Sequence, residues 1–286
     1  MQDAALVLYT DSSPNGFKAT IALEETGLPY QLVHVDIDRG EHRQAEFLAL
    51  NPAGRIPVLV DRKANIVLFE SAAILLYLAQ SSGQLLEQAA QPRWAAIIWL
   101  MYHSASMGPL LGQRVHFECF EAVPNPAAQK RYRALTEAAF AVLDQRLASH
   151  SWLAGESYSI ADIASFAWLH IAALVGFDFS HYQHLNRWYR QVEQRPAVQR
   201  GIRLPAPATG PLNRARNAHE LHPQQRGQRR CVRPTPRLSP YVRRGSPDHG
   251  YFPAAAFLPR RHGCTARAGP AGQRHRPPGF CGRVGP

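Results

Sequence analysis

Over the first eighty residues, short apolar runs of strand length alternate with runs of helical period. Leu6–Thr10 reads as a strand and leads into the turn Ser12-Ser13-Pro14-Asn15-Gly16. Residues 17–26 set Phe17, Ile21 and Leu28 near one face, with Gly27 as a helix stop. Residues 31–36 alternate apolar and polar as a half-buried strand does, and residues 41–50 have helical character. Two β-rich runs, 56–60 and 66–69, flank Asp61-Arg62-Lys63-Ala64-Asn65 at a spacing that suits a hairpin. Residues 71–80 form a strongly apolar helix that stops near Gly83. The order β-α-β-α-β-β-α predicts a right-handed crossover in the first β-α-β unit.

A polar stretch, 81–92, reads as a linker, and beyond it the strand signals vanish. Residues 93–108, 126–150, 159–175 and 182–194 have the period and length of bundle helices. One start is well marked. Ser159-Ile160-Ala161-Asp162 is a capping box with Asp in place of Glu, and Tyr158 with Ile163 stands at the hydrophobic-staple spacing. The pattern thus predicts an α/β domain over residues 1–83, an all-helical domain over 90–205, and a tail over 206–286.

Charge sharpens that division. The chain of 286 residues carries a formal +11, but residues 1–200 hold 16 Lys+Arg against 19 Asp+Glu. Residues 201–286 hold 16 basic residues, all arginine, against only Glu220 and Asp248. The same stretch has 14 of the 23 prolines and 11 of the 20 glycines, a composition that buries too little apolar surface to order itself. Three readings of it stay open: an out-of-frame, GC-rich extension without selected function, an arginine-rich arm for nucleic acid, or an ordinary disordered tail. Cys231, Cys264 and Cys281 lack C-x-x-C pairing, which argues against a zinc site. The longest apolar runs, 72–79 and 94–102, fall short of the ~20 residues of a spanning helix. No basic-then-apolar leader opens the chain. These features predict a soluble cytoplasmic protein without a membrane partner.

Four segments, in order, resemble the cytosolic glutathione transferases. Asn51-Pro52-Ala53-Gly54-Arg55-Ile56-Pro57-Val58-Leu59 resembles the family's cis-proline loop, and Phe69-Glu70-Ser71-Ala72-Ala73-Ile74 its γ-glutamyl-binding turn. Ser159-Ile160-Ala161-Asp162 is similar to its second-domain cap, and Arg195-Pro196-Ala197-Val198 to its closing stretch. Ser13-Pro14-Asn15-Gly16-Phe17-Lys18, Met107-Gly108-Pro109-Leu110-Leu111-Gly112-Gln113 and Lys130-Arg131-Tyr132 resemble the bacterial Nu-class, or disulfide-bond oxidoreductase-like, group. The resemblance implies a thioredoxin-like first domain, an all-α second domain, a homodimer, and glutathione as cosubstrate with no metal.

The same resemblance implies roles for particular residues. Ser13 and Asn15, at the opening of the first helix, would face the sulfur, where backbone N–H groups and the helix dipole favour an anion; plain helix capping is the competing reading. Tyr9 is a weaker candidate activator. Ile56 and Pro57 would offer backbone to the ligand through a cis bond, against the alternative of an ordinary trans proline. Glu70 and Ser71 would hold the γ-glutamyl end, and Arg131 would close over the ligand unless it is merely a solvated charge. His42 stands where the group usually has glutamine, so its contact with the glycyl end, like that of Arg55, stays open. Trp99, Tyr102, His103 and Met107 fall on one helix and could line a second-substrate pocket, although core packing is the competing reading for each.

No cysteine occurs before Cys119, which lies between Phe117 and Phe120 in the pattern of a packed thiol. Disulfide reduction would therefore use the thiolate of bound glutathione. The expected activity is reduction of small-molecule or mixed disulfides, with conjugation of electrophiles beside it. Purely conjugating, dehalogenating or isomerising chemistry is the alternative, as is a catalytically idle glutathione-binding protein.

Overall fold

The computed structural model describes residues 4–205; the tail expected over 206–286 lies outside the described residues. Strand β1 (Leu6–Thr10) pairs in parallel with β2 (Tyr30–His34) and antiparallel with β3 (Val58–Asp61), which pairs antiparallel with β4 (Ile66–Leu68). The sheet order is β2-β1-β3-β4. Helices α1 (Pro14–Thr26), α2 (Ala45–Leu50) and α3 (Ser71–Ser82) complete a thioredoxin-like first domain. The expected helix over 41–50 is split, with a tight 3₁₀ turn at Glu41–Arg43 preceding α2.

Each end has a local cause. Ser13 caps α1, its side chain accepting from the Gly16 N–H, and Pro14 occupies the first turn, where a missing N–H costs nothing. Gly27 and Gly83 stop α1 and α3 in the left-handed conformation, at φ of 67° and 69°. Leu6 and Leu8 of β1 enter the main core with Phe17 and Ile21 of α1 and Ile74, Leu75 and Leu78 of α3. Tyr9 packs instead against a small separate cluster of Val35, Phe47 and Val58.

The second domain holds α4 (Ala90–Tyr102), α5 (Gly108–Val115), α6 (Pro126–Ala148), α7 (Ile160–Leu174), α8 (Gln183–Glu193) and α9 (Pro196–Gly201). The helix expected to end at Gly108 does not end there. Wide π turns at His103–Met107 and His116–Phe120 carry the helical path from α4 through α5 to Phe120. Gly108 and Gly112 serve close packing rather than termination. A Cβ at Gly108 would lie 3.2 Å from His103 Nε2, and one at Gly112 would lie 3.0 Å from Trp168 Cη2.

α1 packs against α3, α7 and α9, so it touches both halves of the chain. Its contact with α9 is close: a Cβ on Gly201 would sit 2.7 Å from Ile21 Cα, and Thr20 Oγ1 donates to the Gly201 carbonyl at 2.8 Å. Arg195 grips Glu25 with two hydrogen bonds, 2.7 and 2.9 Å. Among the described residues no helix is long and apolar enough to cross a membrane.

α7 is almost wholly buried, and its capping box is complete. Asp162, 0% exposed, accepts from Leu153 N, Trp188 Nε1, Ser159 N and Ser159 Oγ at 2.8–3.0 Å. Burial raises its pKa against the pull of these donors. Replacing Asp162 with Ala strands buried donors, so urea unfolding should show a loss of about 3 kcal/mol.

Candidate functional site

The mouth of α1 is anchored from below by Asp11. Its carboxylate accepts from Ser12 N at 2.7 Å and Ile37 N at 3.2 Å, and pairs with His34 Nε2 at 3.1 Å. Ser13 is half-buried; its Oγ accepts from Gly16 N at 3.0 Å, which leaves the hydroxyl proton available to a second partner. Gly16 admits no side chain, since a Cβ would collide with the Asp11 carbonyl oxygen and Thr10 Oγ1. Ser13 therefore does cap the helix, and the capping geometry leaves it free to donate as well.

Asn15 and Ser71, far apart in sequence, are joined by Lys18. Lys18 Nζ donates to Asn15 Oδ1 at 2.9 Å and to Ser71 Oγ at 3.2 Å. Asn15 Oδ1 also accepts from Trp168 Nε1 of α7 at 3.1 Å. Lys18 is only 3% exposed, and burial lowers its pKa to about 7, with the nearby Glu70 carboxylate opposing that fall. Glu70 itself is exposed, at φ 70° just before α3, a left-handed conformation uncommon for a residue with a side chain. The starts of α1 and α3 thus face a common point, with two helix N-termini and one amine around it.

Beside them runs the loop before β3. The Ile56-Pro57 bond is cis. Asn51 shapes this loop from within: Nδ2 donates to the Arg55 carbonyl at 2.7 Å, and Oδ1 accepts from Ala53 N at 3.0 Å. The His42 carbonyl would lie 3.0 Å from a Cβ on Gly54, so the 41–43 turn abuts the loop. His42 Nδ1 is buried without a hydrogen-bond partner among the described residues. Arg55 is exposed.

Other expected residues stand apart. Arg131 is exposed on α6, and no hydrogen bond or ion pair ties it to α1 or α3. His103 and Met107 are 0% exposed, so they belong to the core and present no surface to a pocket. Among the described residues the His103 ring nitrogens have no hydrogen-bond partner, and burial together with Lys18 holds its pKa well below the ordinary value. Trp99 and Tyr102 keep partial exposure and meet edge to face at 5.5 Å, with the Arg146 guanidinium 5.8 Å from the Trp99 ring. A cleft of about 790 Å³ opens elsewhere, between the 83–92 segment and the 154–159 loop, and is lined by none of these site residues.

Lys18 and Trp168 are the residues that sequence reasoning missed. Lys18 had a signal: a lysine between Phe17 and Ile21 on the apolar side of α1, three residues after Asn15. Trp168 had none, for it lies 153 positions from the side chain it touches.

Residues 4–80 match the glutathione S-transferase N-terminal domain and residues 96–196 the glutathione S-transferase C-terminal domain. The chain belongs to the glutathione S-transferase family. Among its relatives, disulfide-bond oxidoreductase YfcG of Escherichia coli is 38% identical over 200 residues, covering 68% of this chain and 93% of that protein. YghU, a disulfide-bond oxidoreductase of the same organism, is 36% identical, covering 76% of this chain and 80% of that protein. A glutathione transferase of Burkholderia graminis, solved with two glutathione molecules per subunit, superposes with a TM-score of 0.67. It is 37% identical, over 71% of this chain and 89% of its own. A Pseudomonas putida transferase holding one glutathione disulfide per subunit has a TM-score of 0.66 at 36% identity, over 70% of this chain and 91% of its own. These relatives agree with the Nu-like character of the Ser13–Lys18 turn. Among the described residues of this transferase, no group of three or more His, Cys, Asp or Glu is placed to hold a metal ion.

The buried amine makes stability depend on pH in a defined direction. Between pH 7 and about 10 the unfolded chain holds a proton on Lys18 that the folded chain has lost. Folding is therefore increasingly favoured as pH rises through that window, and the cost of burial is fully present below it. Urea titrations of wild type and Lys18→Met should diverge in wild type's favour from pH 7 to 9, by up to about 1.4 kcal/mol per pH unit.

Proposed function

We propose that this transferase is a glutathione-dependent enzyme that reduces small-molecule or mixed disulfides and also conjugates electrophiles. One observation carries the reading. Lys18 reaches both Asn15 and Ser71 at hydrogen-bond distance, so the group proposed to face sulfur and the group proposed to face the γ-glutamyl carboxylate share one site. Ser71 begins a helix of 12 residues, whose first N–H groups and hydroxyl suit a carboxylate. Glu70 suits the α-ammonium beside it. Ile56 offers backbone along the peptide, and His42 and Arg55 lie toward the glycyl end. The residues proposed to complete the second-substrate side are Trp99 and Tyr102, with Arg131 closing from α6.

Bound glutathione supplies a thiolate that attacks one sulfur of a disulfide, while the other sulfur leaves as a thiolate. Ser13 and Asn15 do the work of the protein in that step. Their donors stabilise the sulfur anion, whose free thiol, with a pKa near 8.5, is ionised only to a few per cent at neutral pH. The relatives named for disulfide-bond oxidoreduction, and the solved transferases with glutathione or its disulfide, support this choice of substrate.

We also infer a cytoplasmic homodimer. β4 is an edge strand whose Ile66 and Val67 are exposed, followed by an exposed Phe69. On α4, Trp94, Ile98 and Met101 form one exposed stripe at helical spacing, Trp94 and Ile98 each 61% exposed. Two apolar patches of this kind suit an isologous contact.

The decisive measurement is calorimetry of the full chain with reduced and oxidised glutathione; no heat with either sinks the reading. Ser13→Ala and Asn15→Ala should each lower kcat/KM for a small disulfide by about 100-fold. Equal turnover of that disulfide and of an aryl halide by wild type and both variants would remove the proposed activation. Ile98→Glu should convert the dimer to monomer in sedimentation velocity.

A further inference from the structure

The carboxamide of Asn15 can present either an oxygen or a nitrogen to a ligand, and its neighbours decide which. An indole N–H only donates, so the Asn15 atom 3.1 Å from Trp168 Nε1 is the oxygen. The Lys18 amine donates to that same oxygen at 2.9 Å. A carbonyl oxygen has two lone pairs, and both are now taken. The amide nitrogen, with two N–H donors, must point elsewhere.

We propose that Trp168 and Lys18 are positioning residues, which together hold the oxygen of Asn15 so that its N–H₂ group faces the sulfur of glutathione. The proposal rests on the reading of Asn15 given above and goes beyond it. Turned the other way, the same side chain would set an oxygen dipole against a sulfur anion and oppose its formation. The two clamping residues come from different parts of the chain, α1 and α7, so the helical domain sets the polarity of a donor in the thioredoxin-like domain. The indole is itself firmly seated, for Gly112 leaves room that any Cβ would narrow to 3.0 Å from the ring. Lys18 is braced as well, by its second hydrogen bond to Ser71 at 3.2 Å. A neutral amine keeps two N–H donors, so the clamp holds on either side of the lysine's titration.

Trp168→Phe keeps a half-buried ring and deletes the N–H. The test is the ultraviolet absorbance of the bound glutathione thiolate, followed against pH in full-length wild type, Trp168→Phe, Lys18→Met, Asn15→Ala and the Trp168→Phe/Asn15→Ala double variant. Trp168→Phe should raise the midpoint by about one pH unit, a tenfold loss of thiolate below it, with glutathione affinity within about twofold of wild type. The double variant should lie no higher than Asn15→Ala alone, because the tryptophan acts only through the amide. A midpoint unchanged in Trp168→Phe, or a further full shift in the double variant, overturns the clamp while leaving Asn15 its role. If Trp168→Phe fails to fold, Lys18→Met carries the same comparison. A wild type that binds no glutathione, or an Asn15→Ala midpoint equal to wild type, overturns the underlying reading and the clamp with it.

Discussion

A lysine amine that leaves water loses its hydration, and only hydrogen bonds or a counter-charge inside the protein offset the loss. Lys18 meets that condition with two side-chain acceptors at the N-terminal ends of two different helices, and with the Glu70 carboxylate nearby. The requirement fixes more than a lysine. Satisfying one amine from Asn15 and Ser71 together sets the spacing between the starts of α1 and α3. In the proposed site, that spacing separates the residue read as facing the thiol from the residue read as facing the γ-glutamyl carboxylate. One residue named for catalysis, Asn15, and one named for binding, Ser71, are therefore tied to the same buried amine.

The same helix ties the two halves of the chain together. α1 offers Leu23, Ile21 and Phe17 to a core that runs without interruption from Leu6 to Trp188 and Val192. On its other sides it meets α9 through Gly201 and Thr20, and the 195–200 segment through Glu25 with Arg195 and Glu24 with Arg200. The boundary near residue 83 divides secondary-structure classes, but packing and polar contacts cross it freely. α7 reaches the mouth of α1 directly, since Asn15 takes one of its hydrogen bonds from Trp168.

Much of this architecture is legible in the amino-acid sequence because it is set locally. Ser13-Pro14 and Ser159 announce helix starts, Gly27 and Gly83 announce stops, a short apolar run marks β1, and alternation marks β2. Sequence pattern misleads where one residue type serves two purposes. The helix expected over 93–108 does not end at Gly108, because the glycine lets His103 pack closely while the path continues through a π turn. Trp99, His103 and Met107 do share a stripe, yet periodicity does not say whether a stripe faces a core or a pocket, and burial of His103 and Met107 settles it for the core. Trp168 was invisible for a deeper reason: no local pattern pairs a residue of α7 with one of α1. The stretches 51–59 and 69–74 stand out in the sequence because a turn or loop must hold a particular backbone there.

The two ends of the proposed peptide site are built to different standards. Around the sulfur, Ser13 is fixed by Gly16, Asn15 by Lys18 and Trp168, and the loop beneath by Asp11. At the proposed glycyl end, Arg55 is exposed and His42 Nδ1 has no partner among the described residues, while Asn51 holds the loop's own frame. Such a division accords with how binding energy serves catalysis. Interactions at the reacting atom raise the rate only if they are stronger in the transition state than in the ground state, which demands donors that do not have to reorganise. A distant carboxylate changes little during thiol–disulfide exchange, and an adaptable contact there is sufficient. In the proposed reaction, with no cysteine in the first 118 residues, the nucleophile arrives on the peptide. The firmly bonded residues are then those read as facing that borrowed thiol.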